Sequence, residues 1–340
     1  MRNTDGQTTN GIFGSQSGRG ASAHWFFAAL LAIASVVLSA GTMSVYAKKA
    51  PIFDYDGDGR TDLSVFRPSD QKWYLLRSQA GEMIVPFGYA DDVLAPADYD
   101  GDGKTDLAVF RGDADPTHAD FYVLNSSTNT MSCAVWGLPG DIPVVADYDG
   151  DGKADFSVWR PSDTVWYTLK STGGFANYQF GRPGDIPLVM DADGDGKADL
   201  AVYRPLEGMW MVAKQGGAPN RYFDATRFGL EGDKPVPADY DGDGKTDIAV
   251  YRPSEGTWYE ILSSSGKTVQ VKFGLPDDIP APGDYDGDGK ADLAIFRPSD
   301  GNWWIERSSA GQEIVKYGLK GDKPTPNAFV YQESSKSGQN

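Results

Sequence analysis

From residue 52 to residue 331 the chain is written in short apolar runs that alternate with small or polar residues and are broken by Gly, Pro, Asp and Ser. The segment from Asp147 to Met190 shows the pattern. Phe156-Ser157-Val158-Trp159-Arg160 has the two-residue period of a strand, Pro161-Ser162-Asp163 turns the chain, and Val165-Trp166-Tyr167-Thr168-Leu169 runs on to a turn at Gly173-Gly174. A third strand is expected to end at Phe180-Gly181, and Gly184-Asp185-Ile186-Pro187 leads a fourth toward the next loop. Nothing here carries the 3.6-residue period of a helix. Four short antiparallel strands in about 45 residues is the size of a propeller blade.

The alternation is phased by a nine-residue phrase, Asp-x-Asp-Gly-Asp-Gly-x-x-Asp, that begins at Asp54, Asp98, Asp147, Asp191, Asp239 and Asp284. Successive copies are 44, 49, 44, 48 and 45 residues apart, so one supersecondary unit is repeated. Other landmarks keep register. The strand after each loop ends at Arg67, Arg111, Arg160, Arg204, Arg252 or Arg297, and all but Arg111 precede Pro. Aromatic positions follow at Trp73, Phe121, Trp166, Trp210, Trp258 and Trp303, then at Phe87, Trp136, Phe180, Phe228, Phe273 and Tyr317, each of the latter before Gly. Insertions fall in turns, around Ala114 to His118 in the second unit and Gly216 to Asn220 in the fourth. After Tyr317 a seventh lead-in begins, but Ala328-Phe329-Val330 stands where Asp-Tyr-Asp would be. These features predict an all-β, six-bladed β-propeller over residues 48–331, with residues 332–340 a flexible tail. A strand from Pro324 to Tyr331 is expected to close it against the first blade, which removes open sheet edges.

Carboxylates at positions 1, 3, 5 and 9 of the loop and a backbone carbonyl at position 7 are the hard oxygen donors that Ca²⁺ takes, six to eight of them at about 2.3–2.6 Å. The candidate ligands are Asp54, Asp56, Asp58, Arg60 and Asp62; Asp98, Asp100, Asp102, Lys104 and Asp106; Asp147, Asp149, Asp151, Lys153 and Asp155. The later loops add Asp191, Asp193, Asp195, Lys197 and Asp199; Asp239, Asp241, Asp243, Lys245 and Asp247; Asp284, Asp286, Asp288, Lys290 and Asp292. Arg60 and the five lysines enter by carbonyl alone. About six calcium ions per chain are expected from the six loops. Mg²⁺ suits them less because it keeps its waters, and zinc or copper would need soft ligands, of which only His118 and Cys133 exist beyond residue 47. The loop is not an EF-hand: position 12, where a bidentate Glu would sit, holds Val65, Val109, Val158, Val202, Val250 or Ile295 inside a strand.

The first 47 residues read differently. Arg2 and Arg19 precede an apolar run from Trp25 to Leu38, and Val45-Tyr46-Ala47 offers a cleavage site, so residues 1–47 are expected to be a signal peptide. An uncleaved membrane anchor is the alternative, and either places the repeats outside the cell, secreted or at its surface. Without the leader, 29 basic residues face 47 acidic ones, a net charge of −18 that argues against nucleic acid as a partner. The six loops hold 24 of those carboxylates. With Cys133 as its one cysteine, the exported chain has no internal disulfide.

Arg111-Gly112-Asp113 spells a known adhesion tripeptide, but Arg111 is already accounted for by the repeat. The recurring Arg is expected to bridge a lead-in Asp such as Asp141, Asp185, Asp233 or Asp322. Trp73-Tyr74, Trp166-Tyr167, Trp258-Tyr259 and Trp303-Trp304 put one aromatic on each face of a strand, one for the blade interior and one free to stack on a sugar ring. Nucleophilic catalysis would have only His118 as a base, and Glu207, Glu231, Glu255, Glu260, Glu306 and Glu313 form no constellation. No catalytic residue is assigned. The expected role is a binding or adhesion module for an extracellular glycan or protein; a polysaccharide-acting lyase or hydrolase and a purely structural surface protein are the alternatives.

The Asp-rich loop between strands, preceded by Phe-Gly and Gly-Asp-x-Pro as in Phe273-Gly274 and Asp278-Ile279-Pro280, resembles FG-GAP or VCBS-type repeats over about Ile52 to Tyr331. It is similar to the calcium-bearing blades of integrin α-subunit propellers and some fungal lectins. The resemblance implies that the Asp quartets are structural calcium ligands inside each blade. The units are shorter than integrin blades and no companion domain follows, so integrin-like ligand binding is not implied.

Overall fold

The computed structural model describes residues 53–113, 115, 117–214 and 223–327. The expected leader, the tail and Ala328 to Tyr331 lie outside them. Among the described residues no helix is long and apolar enough to cross a membrane.

Six four-stranded antiparallel sheets form a six-bladed propeller. The first blade joins Lys323–Pro324 to Leu63–Arg67, Lys72–Arg77 and Gly81–Pro86; the second is Val93–Leu94, Leu107–Phe110, Phe121–Leu124 and Met131–Ala134. The third is Ile142–Pro143, Phe156–Arg160, Val165–Leu169 and Phe175–Gln179, and the fourth is Ile186–Met190, Asp199–Arg204, Met209–Ala213 and Asp224–Arg227. Lys234–Pro235, Ile248–Arg252, Thr257–Ile261 and Thr268–Lys272 make the fifth, and Ile279–Pro280, Leu293–Arg297, Asn302–Arg307 and Gly311–Lys316 the sixth.

The strands of the segment Asp147 to Met190 fall where the alternation puts them, but they do not share a sheet. Its fourth strand, Ile186–Met190, pairs with Asp199–Arg204 and opens the next blade. Blade and repeat are therefore out of phase by one strand, and the Asp-rich loop links the first and second strands of a sheet. The same offset leaves the first blade short of a strand, which the C-terminal end supplies: Pro324 pairs with Val65 and Lys323 with Phe66. This closing strand is Lys323–Pro324, earlier and shorter than the expected Pro324 to Tyr331, because Thr325–Asn327 turn into a 3₁₀ helix. Thr325 is fully buried and shares hydrogen bonds with Tyr55 and Ser64.

The second strand of each blade is buried on both faces because it is covered by blades on either side. On the third strand, Trp73, Trp166, Trp210, Trp258 and Trp303, with Phe121 in the second blade, are all 0 % exposed. They pack across the seam on the residue at loop position 12 of the next blade: Phe66 and Trp73 meet Val109, Trp166 meets Val202, and Trp258 meets Ile295. The last seam brings Phe296 and Trp303 against Val65. Each indole N–H donates to the carbonyl of the aromatic before the conserved-register Gly, as from Trp73 to Phe87 at 2.9 Å and from Trp303 to Tyr317 at 2.7 Å. That bond satisfies the polar edge of a ring that is otherwise packed in apolar surroundings.

Arg and lead-in Asp pair as expected, in every blade. Each guanidinium makes two parallel bonds through Nε and Nη2: Arg67 to Asp322, Arg111 to Asp92, Arg160 to Asp141, Arg204 to Asp185, Arg252 to Asp233 and Arg297 to Asp278, at 2.7–3.0 Å. This geometry is open to Arg and closed to Lys. Asp92 joins the set although its lead-in, Ala90-Asp91-Asp92-Val93, lacks both Gly and Pro.

Ending the chain at Asp322 keeps the Arg67 clamp but removes the closing strand and Thr325. Calorimetry is expected to show a lower melting temperature and size-exclusion chromatography to show aggregates; a monomer with an unaltered melt would contradict closure through Lys323–Pro324. Trp166→Ala removes a fully buried indole and is expected to cost about 3–5 kcal/mol in urea denaturation. A loss below about 1 kcal/mol would place Trp166 at the surface.

Candidate metal loops and the seam cavity

Each Asp-rich loop is wound around its own carboxylates. The glycines at positions 4 and 6 have φ between +78° and +93°, as at Gly57 and Gly59, where a side chain would strain the backbone. Their N–H groups donate to the position-1 Asp: Gly57 to Asp54 Oδ1 at 2.6 Å and Gly59 to Oδ2 at 2.8 Å, with the same pair in the other five loops. The position-9 Asp is at most 1 % exposed in every loop, from Asp62 to Asp292. One of its oxygens takes the N–H of position 2, as from Tyr55 to Asp62 at 2.8 Å.

The other oxygen of position 9 is held by a hairpin that the sequence reading missed. The tip between the third and fourth strands leans over the loop, so Ser78 N–H donates to Asp62 at 2.7 Å and Ser78 Oγ to Asp58 at 2.6 Å. Ser126-Ser127, Ser171-Thr172, Ser263-Ser264 and Ser308-Ser309 do the same in their blades, reaching positions 3, 5 and 9. A Ser sixteen residues beyond position 9 in four units was the available signal.

Six groups of acidic side chains among the described residues bring one oxygen from each member within 4.8 Å of the others, among them Asp54, Asp56 and Asp58; Asp98, Asp100 and Asp106; Asp147, Asp149 and Asp155; Asp191, Asp193 and Asp199; and Asp239, Asp241 and Asp243. Crowding of like charge in a half-buried loop disfavours ionisation. Burial first, with neighbouring aspartates adding to it, pushes Asp62 up to about 7 and Asp292 to about 6, and raises Asp54, Asp98, Asp106, Asp155, Asp239 and Asp247. At position 3, Oδ1 of Asp56 and of Asp149 is buried with no hydrogen-bond partner. A buried carboxylate oxygen can only accept, and a cation or a donor such as water would satisfy it. The residues present therefore fit a bound metal ion. Position 7 adds a contact not expected from sequence: its side chain lies on the position-4 Gly of the preceding blade, Lys104 on Gly57, Lys153 on Gly101, Lys197 on Gly150, Lys245 on Gly194, Lys290 on Gly242 and Arg60 on Gly287.

Successive loops are also bonded backbone to backbone. The position-8 N–H donates to the position-1 carbonyl of the loop before it, from Thr105 to Asp54, Ala154 to Asp98, Ala198 to Asp147, Thr246 to Asp191 and Ala291 to Asp239, each at 2.7 Å. Thr61 to Asp284, again at 2.7 Å, joins the first loop to the last.

The opposite ends of the strands carry the Arg–Asp clamps and the turns between blades. The aromatic beside each Trp is not a free sugar platform here: Arg67 sits 3.9 Å over Tyr74, Arg160 4.3 Å over Tyr167, Arg252 4.4 Å over Tyr259 and Arg297 4.7 Å over Trp304. Nor is Arg111 an adhesion side chain, since it is clamped by Asp92 between Tyr89 and Tyr122. The second lead-in Asp oxygen also accepts from the backbone of Tyr89, Leu138, Arg182, Leu230, Leu275 or Leu319. Five of these six are large apolar side chains 40–59 % exposed.

One seam differs. Between the second and third blades a cavity of about 270 Å³ is lined by Asp113 and Asp115 of the lengthened turn, by Asp120 at the foot of the next strand, by Trp136 and Leu138, and by Arg160 and Tyr167. Trp136 is fixed by an N–H bond to the Tyr167 carbonyl at 3.1 Å, and its ring is 6.2 Å from that of Phe175. His118 is bound to Asp113 at 3.0 Å, which raises its pKa. Asp113 and Asp115 remain partly exposed at the rim.

Among solved structures, TolB from Acinetobacter baumannii is 17 % identical over 80 % of this chain and 67 % of its own, with a TM-score of 0.54. Virginiamycin B lyase from Staphylococcus aureus is 12 % identical over 81 % of this chain and 87 % of its own, with a TM-score of 0.47. At such identities the TolB likeness speaks to the fold alone. No curated protein matches in sequence. The model of the FG-GAP-like repeat matches residues 54–109, 147–202 and 239–295, segments that each run from one Asp-rich loop through the next, and that of the FG-GAP repeat matches 279–312, which spans the last loop and the strands around it. The chain is a member of the FG-GAP repeat proteins.

Proposed function

We propose that this chain is an exported, calcium-loaded propeller that binds an extracellular glycan without turning it over. The observation that carries the metal half is the buried, unpartnered Oδ1 of Asp56 and Asp149, set among carboxylates a few ångströms apart. An all-oxygen donor set of this size favours Ca²⁺ over the transition metals. Ions in the loops would hold blade ends rigid while the opposite ends stay free for a ligand. The cavity beside Trp136 supports the glycan half. An indole ring with carboxylates at the rim is the chemistry that receives the C–H face and the hydroxyls of a sugar, and about 270 Å³ suits one or two rings. Three aspartates there favour a neutral or amino sugar over an acidic one. The polysaccharide-enzyme reading would have to draw on His118, Asp113, Asp115 and Asp120 alone, because the repeated acids belong to the loops.

Metal analysis of the saturated protein is expected to give about six calcium ions per chain; two or fewer would sink the loop assignment. With sites of extracellular grade, each contributing roughly 1.4 kcal/mol at about 1 mM Ca²⁺, EDTA is expected to lower the melting temperature by on the order of 15–25 °C. Asp149→Ala should lower it by only a few degrees. On a glycan array, Trp136→Ala is expected to reduce binding at least tenfold with calcium content unchanged. Equal binding by wild type and Trp136→Ala would remove the cavity from the reading, and release of sugar products would favour the enzyme.

A further inference from the structure

We propose that the six loops form one cyclic, cooperative calcium switch, in which filling a loop raises the affinity of the loops on either side. This rests on the reading of the loops as calcium sites. Its basis is the geometry of the link. Asp147 would offer its carboxylate to the ion of the third loop, while its carbonyl accepts the N–H of Ala198 in the fourth at 2.7 Å. Ala198 in turn immediately precedes Asp199, a ligand of the fourth loop. One short segment thus serves two sites, and ordering it for one prepares it for the other.

A second contact runs in the same direction. The Lys197 stem lies on Gly150 of the third loop, where even a Cβ would come within 2.7 Å, and Gly150 has φ of +83°. Because Gly150 N–H is bonded to Asp147 Oδ1 at 2.5 Å, the stem bears on a turn whose shape sets the direction of that carboxylate. Both contacts recur at every seam, including the one between the sixth and first blades. No loop is terminal, so each has two neighbours to gain from.

Electrostatics opposes this coupling. Every ion bound reduces the negative field that attracts the next. That field is screened over about 8–10 Å at physiological salt, whereas the contacts are local and are not screened. Added KCl should therefore weaken calcium binding while steepening the isotherm.

Calcium titration of the full mature chain by calorimetry, starting from chelated but folded protein, tests the inference. A coupling of about fivefold per link gives a Hill coefficient of about 2. Six ions bound with a coefficient of 1 would overturn the coupling and leave the calcium reading intact; failure to bind would overturn the reading itself. Lys197→Ala keeps all ligands, so its stoichiometry should stay at the wild-type value while its Hill coefficient falls, and Lys197→Arg should restore it. To separate neighbour coupling from global folding, hydrogen exchange of Asp149→Asn is read loop by loop at half-saturating calcium. Residues 98–106 and 191–199 are expected to lose protection, with residues 284–292 on the far side unchanged. Loss confined to residues 147–155, or uniform over all six loops, would refute the cycle.

Discussion

The hydrogen bond from position 8 of one Asp-rich loop to position 1 of the loop before it is the constraint on which the rest of this propeller depends. It fixes the separation of neighbouring blades at the end where the carboxylates lie, and it repeats at 2.7 Å around the whole cycle. Given that spacing, a Trp of one blade can reach the Val or Ile at position 12 of the next without leaving a void. The seams are then filled from the loop end outward, and the Arg–Asp clamps fasten each blade at its other end.

Two kinds of aspartate share this molecule and are kept apart by their partners. The lead-in Asp is buried against a guanidinium and a backbone N–H, so its charge is balanced within the protein. The loop aspartates are met by N–H and hydroxyl donors but crowd one another, and burial together with that like-charge crowding raises Asp62 and Asp292 well above the ordinary carboxylate range. A fold that gathers 24 carboxylates in its loops concentrates negative charge in a way that is compatible with bound cations.

Much of this was legible in the sequence because it is written at fixed spacing. The blade count, the loops and the Arg–Asp pairs follow from register alone. Three features were not. The one-strand offset between repeat and sheet depends on which edge a short strand pairs with, and a two-residue strand such as Ile142–Pro143 carries no alternation to read. The Ser-rich hairpins were hidden because Ser is ordinary in turns and the second unit spaces its Ser126 by 20 residues instead of 16. The stacking of Tyr74, Tyr167 and Tyr259 under Arg was misread as free surface, since alternation tells which face a residue takes and not what already covers that face.

The composite first blade sets a delay on folding during synthesis. Its strands up to Pro86 emerge early, but the strand that covers their inner edge lies about 240 residues later, at Lys323–Pro324. At about 5–20 residues per second, Val65 and Phe66 wait roughly 12–50 s with one strand edge unpaired and an apolar face uncovered. For that interval the inner edge of the first blade is open to pairing with any other extended strand.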